Sequence, residues 1–441
     1  MSLEYGLSTL FPELHDAARR IARKGYGLEI SPSWYALRTV AGSAAKWRRV
    51  GDSPWLTVTA GEEGVAVRCN VPLWASKLGG YGLLPRGVDY PRGSDGQPLQ
   101  LVAQVNFGEL WADAAARDGD FEVPALLPSR GVLAFYANPF NRKNPYGKNF
   151  EDPLDQTDFR ILFFEEELLP LEALLEEYHS GAITSEEELD SRVGELLWTR
   201  EEQCDVFDEY IPKTMDESGL TGSREERKKE SYKRQQQLAA SRAFLSEFPE
   251  EGEAVPEGVD RHSLEGRPKL WYGAVAKINT ERALTIKNTV DMVPFNSGEV
   301  ALMLIDAIKS NPSLAEEEWM MEGAASPYFR RFATGRGLSR RFAYRTYLLG
   351  YPDFAQQDRR PRADVAAMLT ALKEGKGMEE AEAAALAPLE ENVGGKYILL
   401  WQFDSEGDMM WGDCGVCNLF IDPDDLAARR FDRVWYNWDC C

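Results

Sequence analysis

The hydrophobic pattern of this chain changes period several times. Over residues 9–24 the apolar positions Leu10, Leu14, Ala17, Ala18 and Ile21 recur at three- and four-residue steps. Gly25 supplies a stop, so the spacing predicts an amphipathic helix with Arg19, Arg20, Arg23 and Lys24 on its solvated face. The period then drops to two. Residues 55–59 and 65–71 alternate apolar and polar around Gly61 and Gly64, which predicts a hairpin. Residues 99–107, 131–136 and 160–164 are further strand candidates, and strand or loop material returns at 269–293. A helix is expected over 298–309 behind Ser297, and Ser313-x-x-Glu316 opens another. One or two alanine-rich helices are expected over 363–387, broken at Gly375 and Gly377. Residues 397–403, 415–421 and 433–436 close the chain as strands.

Between about 167 and 260 the composition shifts. Residues 172–217 carry fifteen Asp and Glu against three Lys and Arg. Ser185-x-x-Glu188 and Ser223-x-x-Glu226 have the spacing of capping boxes, in which hydroxyl and carboxylate satisfy the free N–H groups of a helix start. The second opens a charged stretch of mixed sign, 224–247. The region reads as a mostly helical, peripheral insertion, and 249–256 reads as a linker.

The chain also echoes itself. The run Leu101-Val-Ala-Gln104-Val-Asn106 resembles Leu399-Leu-Trp-Gln402-Phe-Asp404, and each precedes a Gly-Val pair, at Gly131 and Gly415, that opens an apolar strand. A duplicated strand pair implies two similar sheets. The expected fold class is therefore α+β and β-rich. It has mixed or antiparallel sheets from an internal duplication, peripheral helices and the acidic helical insertion. Residues 1–75 form an N-terminal section of helix plus hairpin, followed by a domain over 76–441.

Composition narrows the function. The 441 residues are 44% hydrophobic and 28% charged, which excludes wholesale disorder. Fifty Lys and Arg against 72 Asp and Glu leave a formal net charge of −22. That balance argues against nucleic acid as a partner, because phosphate contacts need clustered cations. Residues 1–76 hold nine basic and seven acidic residues, so the acidic excess lies downstream. Three histidines, His15, His179 and His262, are little material for histidine catalysis. The first residues show no apolar run behind a basic start, and no stretch of 18 apolar residues follows, so a cytoplasmic chain without a membrane span is expected. Six cysteines are too sparse for a disulfide scaffold and are read as reduced thiols.

Four blocks together resemble the YwqG-like family, a group of bacterial proteins catalogued as a domain of unknown function. The first is Ser76-Lys-Leu-Gly-Gly80, continuing through Leu84-Pro85 and Tyr90-Pro91 to Asn106. The second is Tyr146-Gly-Lys-Asn-Phe150 with Phe159 to Glu165. The third is Leu348-Leu-Gly-Tyr-Pro-Asp353 with Gln356. The fourth runs from Leu400 through Gln402, Asp404, Met410-Trp-Gly-Asp413 and Gly415-Val416 to Asp439-Cys440. The resemblance implies an α+β fold rich in sheet and no assigned activity. Two departures stand out. Thr346 occupies a position where the family often has His, and 167–345 is longer than the family pattern.

Candidate chemistry is sparse. Cys414-Gly-Val-Cys417 with Cys440-Cys441 supplies four thiols, enough for a zinc site or a redox dithiol. Positions three apart on a strand face opposite sides, however, which favours buried structural cysteines and no metal. Asp404-Ser-Glu-Gly-Asp408 lacks the sixth-position Gly and terminal Glu of a calcium loop and reads as a turn. No phosphate-binding or dinucleotide-binding glycine pattern, no G-x-S-x-G and no H-E-x-x-H is present, so no catalytic residue and no cofactor is assigned. Gln104 and Gln402 each interrupt an apolar strand, and a buried amide must be hydrogen-bonded. Either each amide ties down a neighbouring loop, or Gln104, Tyr351, Gln402, Asp404, Trp411 and Asp413 mark ligand-binding positions around an acidic, aromatic pocket. The first fits burial better. Arg336, Arg340, Arg341 and Arg345, with Arg330, Arg331 and interleaved aromatics, are anion-binding candidates. The leading functional expectation is a non-enzymatic, acidic interaction module for a basic protein partner, of the immunity type. An enzyme or small-ligand binder using Asp404, Trp411 and Asp413 is the alternative, and an oligomerisation arm over 172–247 a third. Charge says nothing about the oligomeric state.

Overall fold

The computed structural model describes residues 12–30, 72–138, 145–200, 202–203, 205–206, 282–292, 294, 297–317, 320, 346–405, 409 and 411–440. The hairpin expected over 55–71, the charged stretch 224–247 and the linker 249–256 lie outside them. Backbone packing separates two compact units. An N-terminal unit comprises Ile30–Thr285 with Gly407–Met409, and a C-terminal unit comprises Met1–Glu29, Ile286–Glu406 and Met410–Cys441.

The N-terminal unit is built on an antiparallel sheet of β2 (Lys77–Leu78), β3 (Gln100–Asn106), β4 (Val132–Ala137) and β5 (Phe159–Phe164), joined at β2 by the first residues of β6 (Arg282–Met292). Every residue of β4 and all but the last of β3 are buried. Such continuous apolar runs mean that both faces are covered. Asn106 closes β3 and caps α2 (Phe107–Arg117) by accepting from the Glu109 N–H. The Phe107 ring stacks on Trp111 at 5.7 Å, fixing this helix to its own start. The acidic segment supplies α3 (Leu169–His179) and α4 (Glu186–Leu196). Ser185 caps α4 as its spacing predicts, accepting from the Glu188 N–H. Leu168, Leu171 and Leu174 with Ile183, Leu189 and Val193 pack onto Leu73, Leu83, Leu84 and Tyr90, so these two helices dock on the unit's core.

The C-terminal unit contains β1 (Arg23–Ile30), β7 (Tyr347–Leu349), β8 (Ile398–Asp404), β9 (Val416–Ile421) and β10 (Trp435–Asp439), paired antiparallel in the order β10-β9-β8-β7-β1. A helical layer of α1 (Pro12–Arg20), α5 (Glu299–Ser310), α6 (Val365–Lys373) and α7 (Met378–Glu391) shares one apolar cluster through Leu14, Met303, Ile308, Met368 and Ala381. A short α8 (Pro423–Ala427) follows β9 and is capped by Asp422. Gly375, at φ +81°, makes the predicted break between α6 and α7. Three expectations shift. The first helix ends at Arg20, because Gly25, Tyr26 and Gly27 pair with β7 and pull 23–30 into a strand. The cap of α5 is Gly298, not Ser297, and its N–H donates to Asp358. The segment at Ser313 is a single 3-10 turn capped by Asn311.

The internal echo reaches well beyond the two strands that suggested it. Lys77 pairs with Gln104 and Leu78 with Ala103, as Tyr347 pairs with Gln402 and Leu348 with Trp401. Both long strands carry a bulge at the same place, between Leu101 and Ala103 and between Leu399 and Trp401. Each short strand ends in two left-handed residues, Gly79–Gly80 at φ +64° and +70° and Leu349–Gly350 at +57° and +76°. The bond from Leu284 N–H to Ser76 C=O has its counterpart from Leu28 to Thr346, and that from Phe107 to Gly131 its counterpart from Ser405 to Gly415. The two units are thus built on the same strand connectivity and register.

Candidate functional site

Gln104 and Gln402 sit at equivalent points of these two frameworks, and both amides are committed. Gln104 Oε1 accepts from the Leu83 N–H at 2.9 Å, while its Nε2 donates to the Leu73 and Ala75 carbonyls at 2.6 and 2.7 Å. Gln402 Oε1 accepts from the Asp353 N–H at 2.7 Å, and the Tyr347 hydroxyl, 3.0 Å from that oxygen, shares its one proton with the Tyr351 carbonyl at 2.7 Å. Each amide therefore ties the segment beyond the left-handed pair to the sheet. A buried amide left unmet costs a few kcal/mol, so these bonds explain a glutamine inside an apolar strand.

Asp404 and Trp411 come together through one side chain. The Asp404 carboxylate, buried at the end of β8, accepts from the Ser405 N–H at 2.8 Å. Ser405 Oγ accepts from the Trp411 N–H and donates to the Gly415 carbonyl, closing the turn onto β8. The Trp411 ring packs on Phe403 and Tyr436. Phe403 alternates with Gln402 and Asp404 along β8, so that ring lies on the opposite sheet face. Asp413 is exposed in the turn. Tyr351 is buried, donates its hydroxyl to the Ile21 carbonyl and carries the Arg23 guanidinium 4.6 Å above its ring. Burial pushes its hydroxyl up to about 12. Arg336, Arg340, Arg341 and Arg345 lie outside the described residues. Thr346, at the position of the family's frequent His, turns its hydroxyl toward the Asp404 N–H at 3.5 Å, and Ser76 plays the same part for Asn106 at 2.9 Å.

Two charged constellations lie outside the candidates that the residue pattern singled out. In the C-terminal unit Arg360 is a buried hub. It reaches Glu299 through two bonds of 3.0 and 2.9 Å, Asp358 through two of 3.1 and 2.7 Å, and the Tyr397 carbonyl at 2.7 Å. Its guanidinium also lies 4.2 Å over the Phe420 ring. Burial alone would raise the Glu299 carboxyl, but the Arg360 charge and hydrogen bonds, with Arg23, hold it below its ordinary range. In the N-terminal unit Lys77 is fully buried and donates to the Pro72 carbonyl at 3.1 Å. Burial pushes the nearby Glu109 up to about 8 against the lowering pull of the Ser76 amide and the Lys77 charge. The Asn106-x-x-Glu109 spacing, that of a helix cap, was the available clue to this carboxyl's place in the first turn of α2.

Among the described residues no group of three or more His, Cys, Asp or Glu is placed to hold a metal ion, and no helix is long and apolar enough to cross a membrane. Cys417 is buried in β9, whereas Cys414 is exposed in the preceding turn. A family model described as a domain of unknown function (DUF1963) matches residues 76–440. No curated protein matches the chain.

Proposed function

Because the chain belongs to the YwqG-like family, a domain of unknown function, we propose on its own surface chemistry that it is a non-enzymatic interaction module. Its partner is a basic protein, and the proposed setting is the bacterial cytoplasm, with immunity-type neutralisation as the specific role. The supporting observation is the face of α3 and α4. Leu171, Leu174, Leu189 and Val193 are spent on the core, while Glu176, Glu177, Glu187, Glu188, Asp190 and Glu195 of the two helices, and Glu166 and Glu167 in the turn before α3, are exposed. Arg192, bonded to Glu177 at 2.6 Å, is the lone Lys or Arg between residues 165 and 196. Such a face steers cationic partners and loses its pull within a Debye length of about 8 Å at physiological salt.

The pocket reading around Asp404, Trp411 and Asp413 gains less, since Gln402 and Asp404 are engaged in bonds that hold the sheet and its turn. The test uses the full chain as bait in native lysate at low and high ionic strength, beside a variant with Glu176, Glu177, Glu187 and Glu188 changed to Gln. The expected result is a basic protein retained at low salt, released at high salt and lost with the variant. Recovery of no salt-sensitive partner, or equal recovery by the variant, overturns the reading.

A further inference from the structure

The C-x-x-C spacing draws attention to Cys414 and Cys417, but the fold separates them. Cys417 is buried within β9, opposite Trp438 of β10. Cys414 lies in the turn before β9, exposed, at a left-handed φ of +58°. The turn that carries it is pressed onto the end of β10 on both sides. A Cβ built on Gly412 would stand 2.5 Å from Cys440 Sγ and 2.8 Å from Cys440 Cβ. One built on Gly415 would overlap the Asp439 carbonyl. Residues 412 and 415 thus both touch the 439–440 backbone or side chain, and Cys414 lies between them. Consecutive Cα atoms are about 3.8 Å apart, so Cys414 and Cys440 are held within a few residue lengths of each other. A disulfide needs a Cα–Cα span of about 4.4–6.8 Å.

We propose that Cys414 and Cys440 are a redox-active pair that closes into a disulfide under peroxide, pinning the Trp411–Gly415 turn to the end of β10. The exposed Cys414 thiolate attacks one peroxide oxygen, the O–O bond breaks, hydroxide leaves and a sulfenic acid forms. Cys440 then attacks that sulfur. The S–S bond forms, the S–O bond breaks and the hydroxyl departs as water, taking up the Cys440 proton. The two thiols supply the two electrons that reduce the peroxide. Cys417 takes no part because its sulfur is enclosed by β9 and β10.

The test treats the folded full chain with a small excess of hydrogen peroxide, alkylates free thiols and maps the peptides without reduction. The expected product has lost two hydrogens and joins the peptide of Cys414 to that of Cys440, with fragmentation placing the link on Cys414. The link persists in Cys441→Ser and disappears in Cys440→Ser, where a sulfenic-acid trap instead labels Cys414. A link on Cys417, a link that survives Cys440→Ser, or full alkylation of Cys414 and Cys440 after peroxide overturns the proposal. Circular dichroism of each variant before oxidation separates loss of the pair from loss of the fold, and a variant that unfolds is replaced by the corresponding Ala variant.

Discussion

Replacing Arg360 by Met tests the energetics of the C-terminal unit most directly. The side chain has similar length, so the change removes five hydrogen bonds and a charge while leaving little cavity. Two buried carboxylates, at 9% and 6% side-chain exposure, then lose the cation that bridges them, and Glu299 keeps Arg23 at 3.7 Å. Removing one partner of a buried ion pair costs about 3–5 kcal/mol, because the remaining charge keeps its desolvation penalty. The stacking on Phe420 adds about 1 kcal/mol. Unfolding by urea, followed by tryptophan fluorescence, is expected to show a loss of about 4–6 kcal/mol.

A second substitution makes the reasoning refutable. Glu299→Gln in the parent removes an anion that Arg360 needs and is expected to cost about 2–3 kcal/mol. In the Arg360→Met background it removes a buried charge that has lost its main partner and keeps the half-exposed Arg23 alone at 3.7 Å, and is expected to restore about 1–2 kcal/mol. The sign of the effect therefore reverses between backgrounds. The pH dependence follows the same logic. In the parent, Glu299 titrates below its unfolded-state value, so its contribution is complete above the ordinary glutamate range and fades as pH falls through the lowered value. Equal effects of Glu299→Gln in both backgrounds, or a loss of less than about 1 kcal/mol for Arg360→Met, would refute the account of this network.

Two further outcomes are expected. Gln104→Leu leaves the Leu83 N–H and the Leu73 and Ala75 carbonyls unpaired, so denaturant unfolding should show a loss of about 3 kcal/mol, and Gln402→Leu should behave alike in its own unit. Glu109, raised to about 8 in the folded state, binds its proton more tightly there than in the unfolded chain. Stability of the parent should thus fall by up to roughly 5 kcal/mol as pH climbs from the ordinary glutamate range through 8, and Glu109→Gln should flatten that slope in thermal scans across pH.

Much of the sheet was legible because its strands are short apolar runs, two of them opened by Gly131 and Gly415. Residues 131–136, 160–164 and 415–421 anticipated β4, β5 and β9 to within a residue or so at each end. What local pattern missed is non-local in cause. Residues 23–30 carry helix-compatible charges, but two glycines leave them little helical preference, and the bond from Leu28 to Thr346 decides the outcome. Helix α2 was hidden behind a strand that ends on its own cap, Asn106. Helix α8 was hidden by its brevity. The ion cluster had no signature, since Glu299, Asp358 and Arg360 look like ordinary surface charges until α5 and the 358–360 loop meet.

The two copies of the framework also bear on the structural role of the glutamines. A binding amide needs a free donor or acceptor in at least one copy. Yet Leu83 and Asp353, different residues at equivalent places, present the same backbone N–H to the same oxygen. The neighbours have diverged freely around that bond. Lys77 stands opposite Gln104 where Tyr347 stands opposite Gln402, and Ala134 where Asn418 does. The Tyr347 hydroxyl lies between that oxygen and the Tyr351 carbonyl, while Asn418 donates to the Asp353 carbonyl and fixes the other side of the same peptide segment. Two dissimilar surroundings that converge on one backbone contact mark the glutamine as the strut that sets the segment after the left-handed pair. On that argument both Gln→Leu variants should lose stability together, and adding back the neighbour's polarity through Ala134→Asn should not rescue Gln104→Leu.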